Sequence, residues 1–230
     1  IVVTTKGPSN KLFGSLEYES SRLFDDYNYD LLGFALSGPI YRKTNSDGSK
    51  GNSVIGFFLS GEFKTVDDSD PSAIGMWKVR DYVLDSLKST PFVIAPNATA
   101  GFLSSSDFLV DSCFENVQAK QNSRNRRFNF SGKFDIKPSK NTFLSIGGTY
   151  YNNYSRNYSY WRSMFSSENN SVSTEETYRL FGRLTQKFGD EQSNSEKSSN
   201  LIKNAYITLQ ADYTSNFERT FHEDFDNYDT

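Results

Sequence analysis

The chain has 230 residues and a net charge of −3, from 25 Lys+Arg against 28 Asp+Glu. That balance argues against a binder of nucleic-acid phosphates, which needs a dominant basic face. Hydrophobic residues make up 36% and aromatics 16%, leaving about 20% for all aliphatic types, Met and Cys together, the reverse of a soluble α/β enzyme core.

The opening Ile1-Val2-Val3-Thr4-Thr5 lacks the charged, apolar and cleavage regions of a signal peptide, so either the protein stays inside the cell or, the favoured expectation, the sequence is an internal piece of a longer precursor. Period-two alternation, the signature of strands, then recurs along the chain. Residues 11–24 and 28–42 alternate loosely, with Leu32, Phe34 and Leu36 in step, and 43–52 around Asp47-Gly48 have turn composition. Residues 54–65 set Ile55, Phe57, Leu59 and Phe63 against Ser60, Glu62 and Lys64. A connection of 61 residues, 66–126, follows. Inside it Val79, Tyr82, Val83 and Leu87 predict a helix from Trp77 to about Lys88, stopped by Pro91.

The clearest alternation is Phe128, Phe130, Gly132, Phe134 and Ile136 against Asn129, Ser131, Lys133 and Asp135. After a turn at 137–141, residues 142–151 set Leu144, Ile146 and Tyr150 against Ser145 and Thr149. A second long connection, 152–175, leads to 177–188, where Tyr178, Leu180, Leu184 and Phe188 oppose Thr177, Arg179, Arg183, Thr185 and Lys187. A polar turn at 189–200 precedes 201–213, with Leu201, Ala205, Ile207, Leu209, Ala211 and Tyr213 on one side. The expectation is an all-β, antiparallel up-and-down meander of seven strands. Its connections alternate short and long, as in outer-membrane barrels with short periplasmic turns and long extracellular loops; the short 25–28 connection is the exception. No run approaches the ~20 apolar residues of a membrane-spanning helix. A mean hydropathy of −0.63 nevertheless suits a membrane β-barrel, whose strands are apolar only at alternate positions.

Chemistry-bearing constellations are sparse. One cysteine, Cys113, permits no internal disulfide, and one histidine, His222, leaves no ordinary zinc set or serine triad. Glu17 and Glu19 share a strand face, as a glycosidase pair might, but so does any wet acidic strand. Asp67, Asp68 and Asp70 lack the spacing of a calcium loop, and no phosphate-cradling glycine loop is present. These residues predict no catalysis, no cofactor and no metal. Arg124, Arg126 and Arg127 form the one tight basic cluster, read as a charged collar where a strand leaves a membrane or as a contact for an anionic ligand or lipid headgroup. Aromatics gather near strand ends and in the loops. Tyr150, Tyr151 and Tyr178 suggest an interfacial girdle. Trp77, Tyr158, Tyr160 and Trp161 are the candidate substrate contacts in the loops.

Several short stretches carry a family resemblance, in order along about 1–190. They are Val3-Thr4-Thr5-Lys6-Gly7-Pro8, Leu36-Ser37-Gly38-Pro39, Asp70-Pro71-Ser72-Ala73-Ile74-Gly75 with Trp77-Lys78-Val79, Ala119-Lys120-Gln121-Asn122, Ser131-Gly132-Lys133, and Phe181 to Phe188. Together they resemble TonB-dependent receptors of the Bacteroidetes outer membrane. The resemblance implies that 1–10 are the last plug strand and its link. Residues 11–230 would then be the N-terminal portion of a transmembrane barrel of roughly 22 strands with a plugged lumen. It also implies import of a nutrient driven through TonB, partners in the rest of the barrel and plug, contact with outer-membrane lipid, and possible capping by a surface lipoprotein. Lys133, Asp135, Arg179 and Arg183 would face the lumen. The alternative is a soluble or surface-anchored β-sandwich that binds glycans or acts as an adhesin, since a sandwich also buries every second residue. The transported ligand stays open among polysaccharide, peptide, siderophore and cobalamin.

Overall fold

The computed structural model describes residues 10–95, 101–188 and 205–225. Alternating segments become strands β1 (Phe13–Ser20), β2 (Asp30–Thr44) and β3 (Lys50–Val66). An insertion follows, holding β4 (Met76–Val79), α1 (Asp81–Ser89), β5 (Phe92–Ile94), β6 (Phe102–Ser104) and β7 (Phe114–Val117). The main run resumes with β8 (Asn125–Ile136), β9 (Thr142–Arg156), β10 (Val172–Phe188) and β11 (Ala205–Phe221).

Seven strands form one sheet in the order β1-β2-β3-β8-β9-β10-β11, each antiparallel to its neighbours. The all-β meander is as the alternation predicts, and one α-helix stands in the insertion among the described residues. The sheet is open: β1 and β11 are its edges. The β2–β3 connection turns at Gly48, whose φ of +79° favours glycine, and the Asp47 carboxylate accepts from the Ser49 backbone N–H at 2.8 Å. The expected turn at 189–200 and residues 201–204 of the last expected strand lie outside the described residues, as does the expected plug strand except for Asn10.

Strands run past the alternating segments. β9 continues to Arg156 and β10 begins at Val172, so the second connection shortens to 157–171. The reason is that Asn152, Asn153, Glu175 and Glu176 are polar on both faces. The backbone ladder pairs Asn152 with Glu176 and Asn153 with Glu175, although hydrophobic alternation has ended. The helix is also displaced: Trp77, Lys78 and Val79 belong to β4, paired with Asn116, Glu115 and Phe114 of β7, and α1 starts only at Asp81.

Register fixes two unlike faces, because directly paired residues share a side. One carries Leu16, Phe34, Phe130, Tyr150 and Tyr178, with Phe63, Phe128, Phe134, Leu180 and Leu209 in adjoining rows. The other carries Glu17, Glu62, Asn129, Thr177 and Asn216, with Lys133, Asp135, Arg179 and Arg183 in adjoining rows. No second layer covers the apolar face among the described residues, and Leu16, Leu180 and Leu209 are 77%, 60% and 64% exposed. The buried apolar residues are elsewhere. Val79, Val83, Ala95 and Ala119 lie in the insertion, and Val66 and Val172 lie at the strand ends beneath it. The dry core therefore sits in the loop layer and not against the sheet. No helix among the described residues is long and apolar enough to cross a membrane.

Candidate functional site

The two long connections, 67–124 and 157–171, pack into one layer beyond the loop-side end of the strands. The Val79 N–H donates to the Met164 carbonyl at 3.0 Å. Phe114 meets Phe165 edge-on at 6.3 Å, the Asn170 amide donates to the Asn122 carbonyl, and Asn122 donates to Ser167. Asn122 can make this bend because it holds a left-handed φ of +52°, a conformation asparagine tolerates better than most residues.

The acidic cluster anchors this layer. Asp67 accepts from Arg124 Nε at 2.5 Å and from Asn28 at 2.9 Å. Burial alone would raise its carboxyl pKa, but those two hydrogen bonds and the Arg124 charge hold it below the usual carboxylate range. Asp68 is buried and accepts from the backbone N–H groups of Asp70 and Lys120. Lys120 pairs with Asp70 and lies 5.2 Å from the Tyr158 ring centroid. Each acid of the cluster thus has structural donors, and no group of three or more His, Cys, Asp or Glu among the described residues is arranged to hold a metal.

The four loop aromatics proposed as contacts separate. Tyr160 and Trp161 come together edge-on at 5.9 Å, with Trp161 90% exposed. Trp77 stands on β4 and is half exposed. Tyr158 is packed inside the layer under Lys120, and its hydroxyl is buried with no hydrogen-bond partner among the described residues. Its placement fits loop self-packing better than ligand contact.

The four charged residues expected on one side do share a face. Lys133 and Asp135 form an ion pair at 3.0 Å, each side chain about one-tenth exposed, and Ser145 donates to Asp135 at 2.5 Å. A row of Phe58, Lys133, Gly147 and Phe181 crosses the sheet here. A Cβ at Gly147 would meet the Gly132 carbonyl and the Lys133 Cβ at 2.7 Å and the Phe181 ring at 2.8 Å, so glycine makes room for this row. Arg179 donates to Thr214, and Arg183 is exposed.

Two features are absent from the sequence reading. A depression of about 480 Å³ on the polar face has a floor of Ala35, Ser60, Ser131 and Thr149, flanked by Glu62 and Tyr151. A cavity of about 700 Å³ between loop layer and strands is lined by Asp67, Lys120, Arg124, Arg126, Tyr154 and Arg156, among others. Strand register alone brings the floor of the depression together, so local sequence carries no signal for it; the cavity takes in Arg124 and Arg126 of the basic cluster, but its opposing wall of Asp67, Tyr154 and Arg156 comes from folding. Tyr150 and Tyr178 form part of an aromatic belt on the apolar face, with ring centroids 4.9 Å apart and Phe128 6.0 Å from Tyr150. Tyr151 departs from the expected girdle. It pairs with Asn129 and Thr177 on the polar face, because consecutive strand residues point to opposite sides.

Comparison with protein-family models, curated proteins and solved structures finds no match to this chain.

Proposed function

We propose that this chain is part of the wall and extracellular cap of an outer-membrane transport receptor of the TonB-dependent kind. The observation that carries the reading is a single-layer sheet whose apolar face has no cover among the described residues and whose other face is mainly polar. Six inter-strand steps of about 4.8 Å give ~29 Å of width, and eight residues at about 3.4 Å give ~27 Å of length. The projected apolar area, ~800 Å², exceeds the ~300–600 Å² of the largest patch on a typical soluble monomer. At about 25 cal/mol per Å², leaving it in water would forgo ~20 kcal/mol, more than the ~5–15 kcal/mol that stabilises a whole domain. Acyl chains remove that penalty.

In this reading the belt of Phe128, Tyr150 and Tyr178 lies at the membrane–water boundary. The open edges of β1 and β11 pair with further strands, since unpaired backbone groups in lipid cost several kcal/mol each. The polar face, with Lys133, Asp135, Arg179 and Arg183, borders a plugged lumen. The loop layer captures a nutrient through exposed aromatics such as Trp161, Tyr160 and Trp77, and TonB relays the energy that moves the plug. No bond-making chemistry is assigned to the chain. The competing β-sandwich requires a second sheet against the apolar face. Among the described residues the other two sheets are two-stranded and consist of loop strands, β4 with β7 and β5 with β6.

Extraction tests the proposal. The protein should stay in the membrane fraction through high salt and carbonate and leave only with detergent. Release into plain buffer as a folded species would refute it.

A further inference from the structure

Arginines at the loop-side rim differ in one respect. Arg22 is paired with Asp30 at 2.6 Å, Arg124 with Asp67 at 2.5 Å, and Arg156 with Glu223. Arg126 has no carboxylate partner among the described residues. Its guanidinium instead lies 5.9 Å from the centre of the Tyr154 ring. Arg126 is exposed and stands on β8, two residues before Phe128 and four before Phe130, and therefore on the apolar side of the sheet. Four residues at about 3.3 Å put it ~13 Å along the strand from Phe130, beyond the aromatic belt. It also lines the 700 Å³ cavity beside Arg124, whose side chain is 47% exposed and turns only Nε to Asp67.

We propose that Arg126, assisted by the remaining N–H groups of Arg124, seats the phosphate of an anionic lipid headgroup at the outer rim of the apolar face. The proposal rests on the membrane reading above. A guanidinium without a counter-ion attracts phosphate through charge-assisted, often bidentate hydrogen bonds. The source is a lipid and not a free anion because the apolar stripe of Phe128, Phe130 and Phe63 starts directly below Arg126. One molecule can thus satisfy the charge with its headgroup and cover the stripe with its acyl chains. Asp26 and Asp67 also line the cavity. Asp67 is already matched by Arg124 and Asn28, so it does not compete for Arg126.

The test uses the natural full-length protein in lipid nanodiscs of phosphatidylcholine doped with phosphatidic acid, with retained lipid counted by native mass spectrometry. Arg126→Ala should lower retention of phosphatidic acid about five-fold, the effect of one basic side chain at an anionic surface. Arg126→Lys should keep most of it, and Arg183→Gln on the opposite face should change nothing. Excess inorganic phosphate should fail to displace the lipid; displacement would identify a free-anion site and overturn the proposal. If Arg126→Ala inserts normally but retains as much phosphatidic acid as the parent, the headgroup seat is wrong while the membrane reading survives. If the parent protein itself does not enter the bilayer, the membrane reading fails, and this proposal with it.

Discussion

In the loop layer, Val79 and Val83 are 2% and 8% exposed, whereas Leu16, Leu180 and Leu209 in the sheet keep more than half of their surface open. The loop layer has a small dry core of Val79, Val83, Ala95 and Ala119, a short helix and ion pairs at its margin, although Ile74, Ile94, Phe102 and Trp161 stay exposed. The sheet reverses the arrangement. Its buried side chains include the Lys133–Asp135 pair on the polar face, while Phe34, Phe130, Tyr150 and Tyr178 line the uncovered apolar face. One region of the chain closes a dry core upon itself and the other leaves a whole apolar face uncovered among the described residues, and on the proposed reading their surroundings are water and acyl chains.

The largest test of that contrast is a charge placed on each face in turn. Leu180→Arg, near the middle of the apolar face, should cost about 2–4 kcal/mol of membrane stability. Ser131→Arg, in the open floor of the polar face, should cost less than about 1 kcal/mol. Urea titration of the folded, heat-modifiable form measures both, and equal costs would break the comparison. Next is the dry core of the cap. Val79→Ala should lose about 2 kcal/mol, from transfer and cavity terms together, and the loss should be confined to the loops. Protease nicking within 67–124 would rise while the sheet keeps its resistance to denaturant.

A smaller effect follows from Asp67. Its folded pKa lies below the ordinary value of about 3.9. Its contribution is therefore complete above roughly pH 4 and disappears as pH falls through the folded value. Because Arg124 is half exposed, the pair is worth only about 0.5–1 kcal/mol. Proteolysis of the insertion at graded acid pH should show the loosening, and Asp67→Asn should already be loose at pH 7. The smallest effect on stability belongs to Trp161→Ala. At 90% exposure the residue should leave unfolding unchanged within about 0.5 kcal/mol, while on the proposed reading binding of a nutrient, followed by calorimetry, weakens.

Legibility in the sequence followed local periodicity. Phe128 to Ile136 announces a half-apolar strand because its neighbours alternate without exception, and Lys133 and Asp135 are placed on the opposite side by the same rule. Where both faces are polar, as at Asn152-Asn153 and Glu175-Glu176, the ladder continues with no hydrophobic mark. Trp77-Lys78-Val79 resembled a helix start because four residues are too few to show alternation, and their partner lies at Phe114–Val117. The Arg126–Tyr154 contact and the small-residue floor of Ala35, Ser60, Ser131 and Thr149 arise only from register between strands. Loop aromatics were identifiable as residue types, but not that Tyr158 would be enclosed while Trp161 stayed open.

The central claim is that one face of the sheet touches lipid. Single nitroxide labels at successive positions of β10, from Tyr178 to Leu184 in a Cys113→Ser background, would measure it in reconstituted bilayers. The account predicts that Tyr178, Leu180, Gly182 and Leu184 collide with dissolved oxygen, while Arg179, Phe181 and Arg183 collide with a water-soluble nickel complex or are shielded. Labels at Leu180 and Leu184 that meet the nickel complex as freely as Arg179, or that meet neither reagent, would contradict it.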